Sequence, residues 1–124
     1  MDISKTELKV LKAIWQDHPV SSNEIIERLN NGGEEWHEKT VKTLIGRLVK
    51  KQAIDFHREG RRYLYFPLVS EEDYQFQQSD SLISGFFKGK VSPLFAMFAQ
   101  QNKLNQDDIQ ELKQLIERWE KDND

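Results

Sequence analysis

Between residues 39 and 51 the chain reads Lys-Thr-Val-Lys-Thr-Leu-Ile-Gly-Arg-Leu-Val-Lys-Lys, and three residue types in it suit an anionic polymer. Lys39, Lys42, Arg47 and Lys50 can neutralise phosphates or reach the acceptor edge of guanine. Thr40 and Thr43 can offer a hydroxyl or a methyl to a base, and Gly46 leaves a bare backbone position open to close approach. At 100° per residue, Lys39, Thr43, Gly46 and Lys50 form one row, flanked by Thr40, Lys42 and Arg47. Val41, Leu44, Ile45, Leu48 and Val49 fall on the opposite side. A helix that is apolar on one face and cationic on the other meets the requirements of a DNA major groove. A solvated surface helix has the same outline, so the neighbouring segments must decide.

Other chemistries find less support. His18, His37 and His57 lie in different segments without metal-ligand spacing, which argues against a metal centre or a catalytic constellation. Asn31-Gly32-Gly33 lacks the Lys-Ser/Thr that completes a phosphate loop. Cysteine is absent, which excludes disulfides, thiolate metal ligands and a cysteine nucleophile. No enzyme, no cofactor and no metal is expected. No apolar run approaches the roughly 20 residues that span a bilayer, and Met-Asp-Ile-Ser-Lys is not a signal peptide, so a cytoplasmic protein without membrane attachment is expected. The 124 residues are 31% charged with a net charge of −3, but the charge is unevenly placed. Residues 36–63 hold 8 Lys/Arg against 3 Asp/Glu, whereas residues 71–124 hold 6 against 11. Positive charge concentrated in one stretch keeps nucleic acid in play despite the acidic average.

The elements that must position the cationic face follow from local signals. Ser4-Lys5-Thr6-Glu7 is a capping box ahead of the apolar face Leu8, Leu11, Ile14 and Trp15. Ser21-Ser22-Asn23-Glu24 repeats that pattern before Ile25, Ile26 and Leu29, and Asn31-Gly32-Gly33 ends the segment. Trp36 precedes the basic helix and can anchor its entry. The period then changes: Ala53 to His57 and Arg61 to Leu68 read as strands, with Arg58-Glu59-Gly60 as the hairpin tip. Three helices and a basic hairpin give the winged helix-turn-helix order, with the third helix as the reader and Arg58, Arg61 and Arg62 on the wing. The fold class expected is mainly α with a small β-hairpin.

Residues 1–70 are thus expected to form a winged helix-turn-helix domain and residues 71–124 a helical dimerisation domain. In the second part, Ser70-Glu71-Glu72-Asp73 opens one helix, Ser92-Pro93 a second with Pro at its first position, and Asn105 caps a third. Seventeen large apolar side chains on three short helices in 54 residues are more than so small a unit buries alone. Packing on the first domain is one way to cover them; pairing with a second copy is the expected one, with Phe86, Phe87, Leu94, Phe95, Phe98, Ile109, Leu112, Ile116 and Trp119 as the candidate residues of a homodimer interface. A reader of paired half-sites needs such a two-fold axis.

Four stretches resemble the penicillinase-repressor family, of the BlaI, MecI and CopY type. They are Glu7–Trp15, Lys39–Leu48, Tyr63–Val69 and Leu104–Leu112, and the similarity runs over essentially the whole chain. The resemblance implies a homodimeric repressor whose winged helix binds a pseudo-palindromic double-stranded DNA operator with TACA/TGTA-like half-sites. It places Lys39, Thr40, Lys42, Thr43 and Arg47 on DNA, and Arg61 and Arg62 on the wing. Two features depart from the family pattern. Without cysteine there is no Cys-x-Cys pair for a copper switch. In the β-lactam branch, a sensor-triggered regulatory protease cuts an Asn-Phe bond, and the matching positions here are Met97-Phe98. The rival reading is a winged-helix protein-interaction or scaffold module without specific DNA binding. The absence of any acid between Lys39 and Lys51 favours DNA.

Overall fold

A computed structural model describes residues 1–124. The chain folds as α1 (Lys5–Gln16), α2 (Ser22–Asn31), α3 (Glu38–Lys50), β1 (Ile54–Glu59), β2 (Arg62–Pro67), α4 (Glu71–Phe87), α5 (Ser92–Gln100) and α6 (Gln106–Asp122). The expected class, mainly α with one small hairpin, is borne out. Two compact units divide it, Met1–Phe76 and Gln77–Asp124. The first unit extends past the expected boundary at residue 70, through the opening turn of α4.

In the first unit three helices close on a core of Val10, Leu11, Ala13 and Ile14 from α1, Ile25 from α2, and Val41, Leu44, Ile45 and Leu48 from α3. Val20, Ala53 and Ile54 complete it. The helix ends follow from their caps. Ser4 and Glu7 form the reciprocal capping box of α1, whereas at α2 only the Ser21 side chain accepts, from the Glu24 N–H at 3.3 Å. Arg28 of α2 donates to the carbonyls of Ala13 and Asp17 at 2.9 and 2.6 Å, which satisfies acceptors that the C-terminus of α1 leaves open.

β1 and β2 pair antiparallel from Ile54↔Pro67 to Glu59↔Arg62. The expected tip at Arg58-Glu59-Gly60 is corrected: Arg58 and Glu59 belong to β1, and the turn is Gly60-Arg61. Gly60, at φ 65°, supplies the positive φ at the first central position of a two-residue hairpin turn. Val20 adds a one-residue bridge, exchanging backbone hydrogen bonds with Tyr65 at 2.9 and 2.7 Å.

The opening of α4 packs on this unit. Tyr74 is buried with its ring 5.9 Å from that of Trp15, and Trp15 Nε1 donates to the Val69 carbonyl at 2.9 Å.

The second unit has a different character: no residue from Gln77 to Asp124 is buried. Its helices are well terminated all the same. Asn102, at φ 57°, follows α5 and lets the Lys103 N–H reach back to the Phe98 carbonyl at 2.8 Å. Asn105 and Asp108 form the capping box of α6. Two expectations are corrected here. Ser92 precedes Pro93 as the first residue of α5. The helices are also not uniformly short, since α4 and α6 each run 17 residues. The apolar residues of α4 spread round more than half its circumference, the pattern of a helix covered on several sides.

Candidate nucleic-acid interface

Which face of α3 is open is set by how the helix is buried. Val41, Leu44, Ile45 and Leu48 are held in the core. That fixes the helix's rotation and leaves Lys39, Thr40, Lys42, Thr43, Gly46, Arg47 and Lys50 all exposed. The seven residues singled out on α3 thus share one solvent-facing surface. Trp36 fixes the approach to the helix: its N–H donates to Asn30 Oδ1 at 2.7 Å and its ring packs against the core.

Local chemistry on that face is uneven. Lys42 Nζ lies 2.7 Å from Glu38 Oε1, one turn earlier. This bond and the Lys42 charge hold the Glu38 carboxyl below its ordinary value. Lys42 is therefore partly neutralised until Glu38 releases it. The Thr43 hydroxyl donates to the Lys39 carbonyl at 2.9 Å, which leaves its methyl and an oxygen lone pair facing outward. A Cβ added at Gly46 would meet nothing within 4 Å, so nothing inside the chain requires glycine there. Lys51, the last cation of the motif, turns toward α1 and does not join the site. Its Nζ donates to Glu7 Oε1 at 2.9 Å and to the Asp2 carbonyl at 2.6 Å.

Glu7 is a buried acid that sequence reasoning assigned only to a capping box. Burial pushes its carboxyl up, but hydrogen bonds from Lys51 and from Ser4 outweigh that, so its pKa is lowered. The pair ties α1 to the end of α3. A charged residue at the third position of a helix gives no sequence signal of burial.

The wing arginines are spread along the hairpin. Arg61 sits in the turn, Arg62 opens β2, and Arg58 lies in β1 with its guanidinium 5.6 Å from the centroid of the Tyr63 ring. Phe56, Tyr63 and Tyr65, absent from the expected site, form an aromatic row beside Arg58.

The whole chain can be compared with known proteins. Residues 3–118 match the family model described as penicillinase repressor. The chain belongs to the penicillinase repressor family. It is 36% identical over 115 residues to the penicillinase repressor of Bacillus licheniformis, covering 93% of this chain and 89% of the relative. It is 34% identical over 117 residues to the methicillin resistance regulatory protein MecI of Staphylococcus aureus, covering 94% of each. Among solved structures, the DNA-binding domain of the repressor BlaI aligns with a TM-score of 0.53 at 41% identity, over 59% of this chain and 88% of that one. The Bacillus licheniformis BlaI monomer in complex with the blaP half-operator aligns at 0.51 and 40%, over 60% and 89%. No helix of the chain is long and apolar enough to cross a membrane.

Proposed function

We propose that this protein is a transcriptional repressor that binds a pseudo-palindromic DNA operator as a homodimer. One observation carries the reading: burial of four apolar residues of α3 turns seven residues of DNA-binding type, with no acid among them, onto one exposed face. Membership in a repressor family supports it, as does the likeness to the BlaI monomer solved in complex with the blaP half-operator. In this reading α3 enters the major groove, Lys39, Thr43 and Arg47 reach base edges or phosphates, and the hairpin lies on the flanking backbone. The DNA-binding unit comprises residues 1–70 with the first turn of α4.

The homodimer rests on the second unit. Phe86 is 80% and Trp119 66% exposed. Phe95, Phe98 and Ile116 are also exposed, and Phe87, Leu94, Ile109 and Leu112 are only half-buried. So much open apolar surface marks an interface, and a second copy provides the two-fold partner that paired half-sites demand.

The test of DNA binding is the DNA that the protein retains from fragmented genomic DNA, followed by titration of the enriched duplex. Arg47→Ala should weaken specific binding by about 1–3 kcal/mol if Arg47 makes a bidentate base contact. Unchanged affinity in a gel-shift titration would remove Arg47 from the site. Failure to enrich any fragment would favour the scaffold reading.

A further inference from the structure

The hairpin has two chemically different faces, and the wing arginines do not share one. Cross-strand partners in an antiparallel ladder point to the same side, as do residues two apart along a strand. The register therefore puts Phe56, Arg58, Tyr63 and Tyr65 on one face, and Asp55, His57, Glu59 and Arg62 on the other. Both acids of the hairpin lie with Arg62, and Glu59 stands directly across from it. The first face carries a cation and no acid.

That face is also ordered. The Phe56 ring centroid lies 4.7 Å from that of Tyr63 and 5.8 Å from that of Tyr65, and Arg58 covers Tyr63 from the outer side. A guanidinium laid on an aromatic ring keeps its in-plane N–H donors free and gives up less side-chain freedom when it binds phosphate. Phe56 and Tyr63 remain 38% and 43% exposed, so the row is open to an occupant. At its inner end, Tyr65 packs against the three-helix core. That core also holds Val41, Leu44, Ile45 and Leu48 of α3, so the row adjoins the element whose outer face is assigned to DNA.

We infer that this acid-free aromatic face is the wing's nucleic-acid surface. The phenols of Tyr63 and Tyr65 donate hydrogen bonds to phosphates flanking the groove that α3 enters, and the stacked Arg58 supplies the ionic contact. Arg62, opposite Glu59 on the far face, contributes little. The occupant is the sugar–phosphate backbone of the duplex that α3 reads, so the inference rests on the DNA-binding reading. Charge and position favour DNA as the occupant: a face with a cation and no acid suits a polyanion, and it lies on the same unit as the cationic face of α3.

The test uses the full-length protein and a random-sequence 30-base-pair duplex, titrated by fluorescence anisotropy across a salt series. The Tyr63→Phe, Tyr65→Phe double variant keeps the rings and loses the hydroxyls. It should bind at least about tenfold more weakly at every salt concentration, the low end for two lost hydrogen bonds, with an unchanged salt slope. Arg58→Ala should flatten the log–log slope by about 0.9, the value of one phosphate contact, and Arg62→Ala should leave it unchanged. A tyrosine variant that binds like wild type, or an Arg62→Ala slope that falls as far as that of Arg58→Ala, overturns the inference. So does a tyrosine variant whose defect is a changed sedimentation state. If wild type binds and Arg47→Ala weakens operator binding, any of these results leaves the DNA reading standing. Wild type that ignores the duplex overturns both.

Discussion

At the scale of single residues, Gly46 and Glu7 show how far one position can serve structure and function separately. Gly46 sits inside a 13-residue helix, where glycine is less favourable than alanine by about 0.5–1 kcal/mol. An added methyl would meet nothing within the chain, so the lost stability has no internal cause. Gly46→Ala should raise the urea midpoint of the winged helix while weakening operator binding, because in the proposed complex the methyl would stand where the groove approaches. Unchanged DNA affinity would show that α3 does not come close there. Glu7 works in the opposite direction, since it faces inward at 3% exposure and binds Lys51 at 2.9 Å. Its pKa is lowered on folding from the ordinary 4.5. The ionised form is therefore the one that folding favours. Its stabilisation is complete above about pH 4.5 and is lost as pH falls through the lower folded value. Glu7→Gln should cost about 1.5–3 kcal/mol at pH 7, the range for a hydrogen bond to a charged group. It should also lose less further stability than wild type between pH 7 and pH 3.5. Urea melts at the two pH values measure this, and equal losses would mean that the pair does not hold the fold.

At the scale of elements, what the sequence made legible depended on periodicity. The third helix was readable because its apolar residues repeat with the helix period over three turns, and core packing then turns the remaining residues outward. The caps at Ser4 and Asn105 were readable because a capping box is a local pattern. The hairpin tip was not: Arg58 and Glu59 look like turn residues, but they continue the alternation of β1 and the turn shrinks to Gly60-Arg61. Neither the Val20–Tyr65 bridge nor the Glu7–Lys51 pair has a periodic signal, because each joins single residues far apart in the chain. The two faces of the wing depend on register, which a one-residue shift in the tip inverts. The start of α4 was legible from its acids, but its attachment was not, since the Trp15–Tyr74 contact links positions 59 residues apart. That attachment makes an element-level prediction. A chain ending at Phe76 includes buried Tyr74, whereas one ending at Ser70 uncovers Trp15. The longer chain should be more stable by about 2 kcal/mol, the order for burying one large side chain. Identical urea midpoints would show that the first turn of α4 adds nothing to the winged helix.

At the scale of the whole molecule, the two units differ in what they can do alone. The first unit closes a core of twelve buried residues, while the second buries none. A helical unit with Leu115, Ile116 and Trp119 all more than half exposed gains little from folding unless something covers that face. In the proposed homodimer a second copy covers it with matching apolar surface and brings two winged helices onto one duplex. Half-site centres should then lie about 10–10.5 base pairs apart, or a multiple of that spacing. Leu112→Asp and Ile116→Asp together would put two carboxylates into the paired surface, at a cost of several kcal/mol. The expected product is a monomer whose first unit keeps its fold, because its core shares no residue with the altered face. Operator affinity should fall by about 10²–10⁴-fold, the gain that tethering a second site supplies, while binding to an isolated half-site stays at the wild-type level. Sedimentation and titration on whole and half operators separate these effects. A wild-type monomer at tens of micromolar would remove the homodimer. A double variant that stays dimeric would move the interface to another surface. Equal losses on whole and half operators would mean that the substitutions had damaged the winged helix itself.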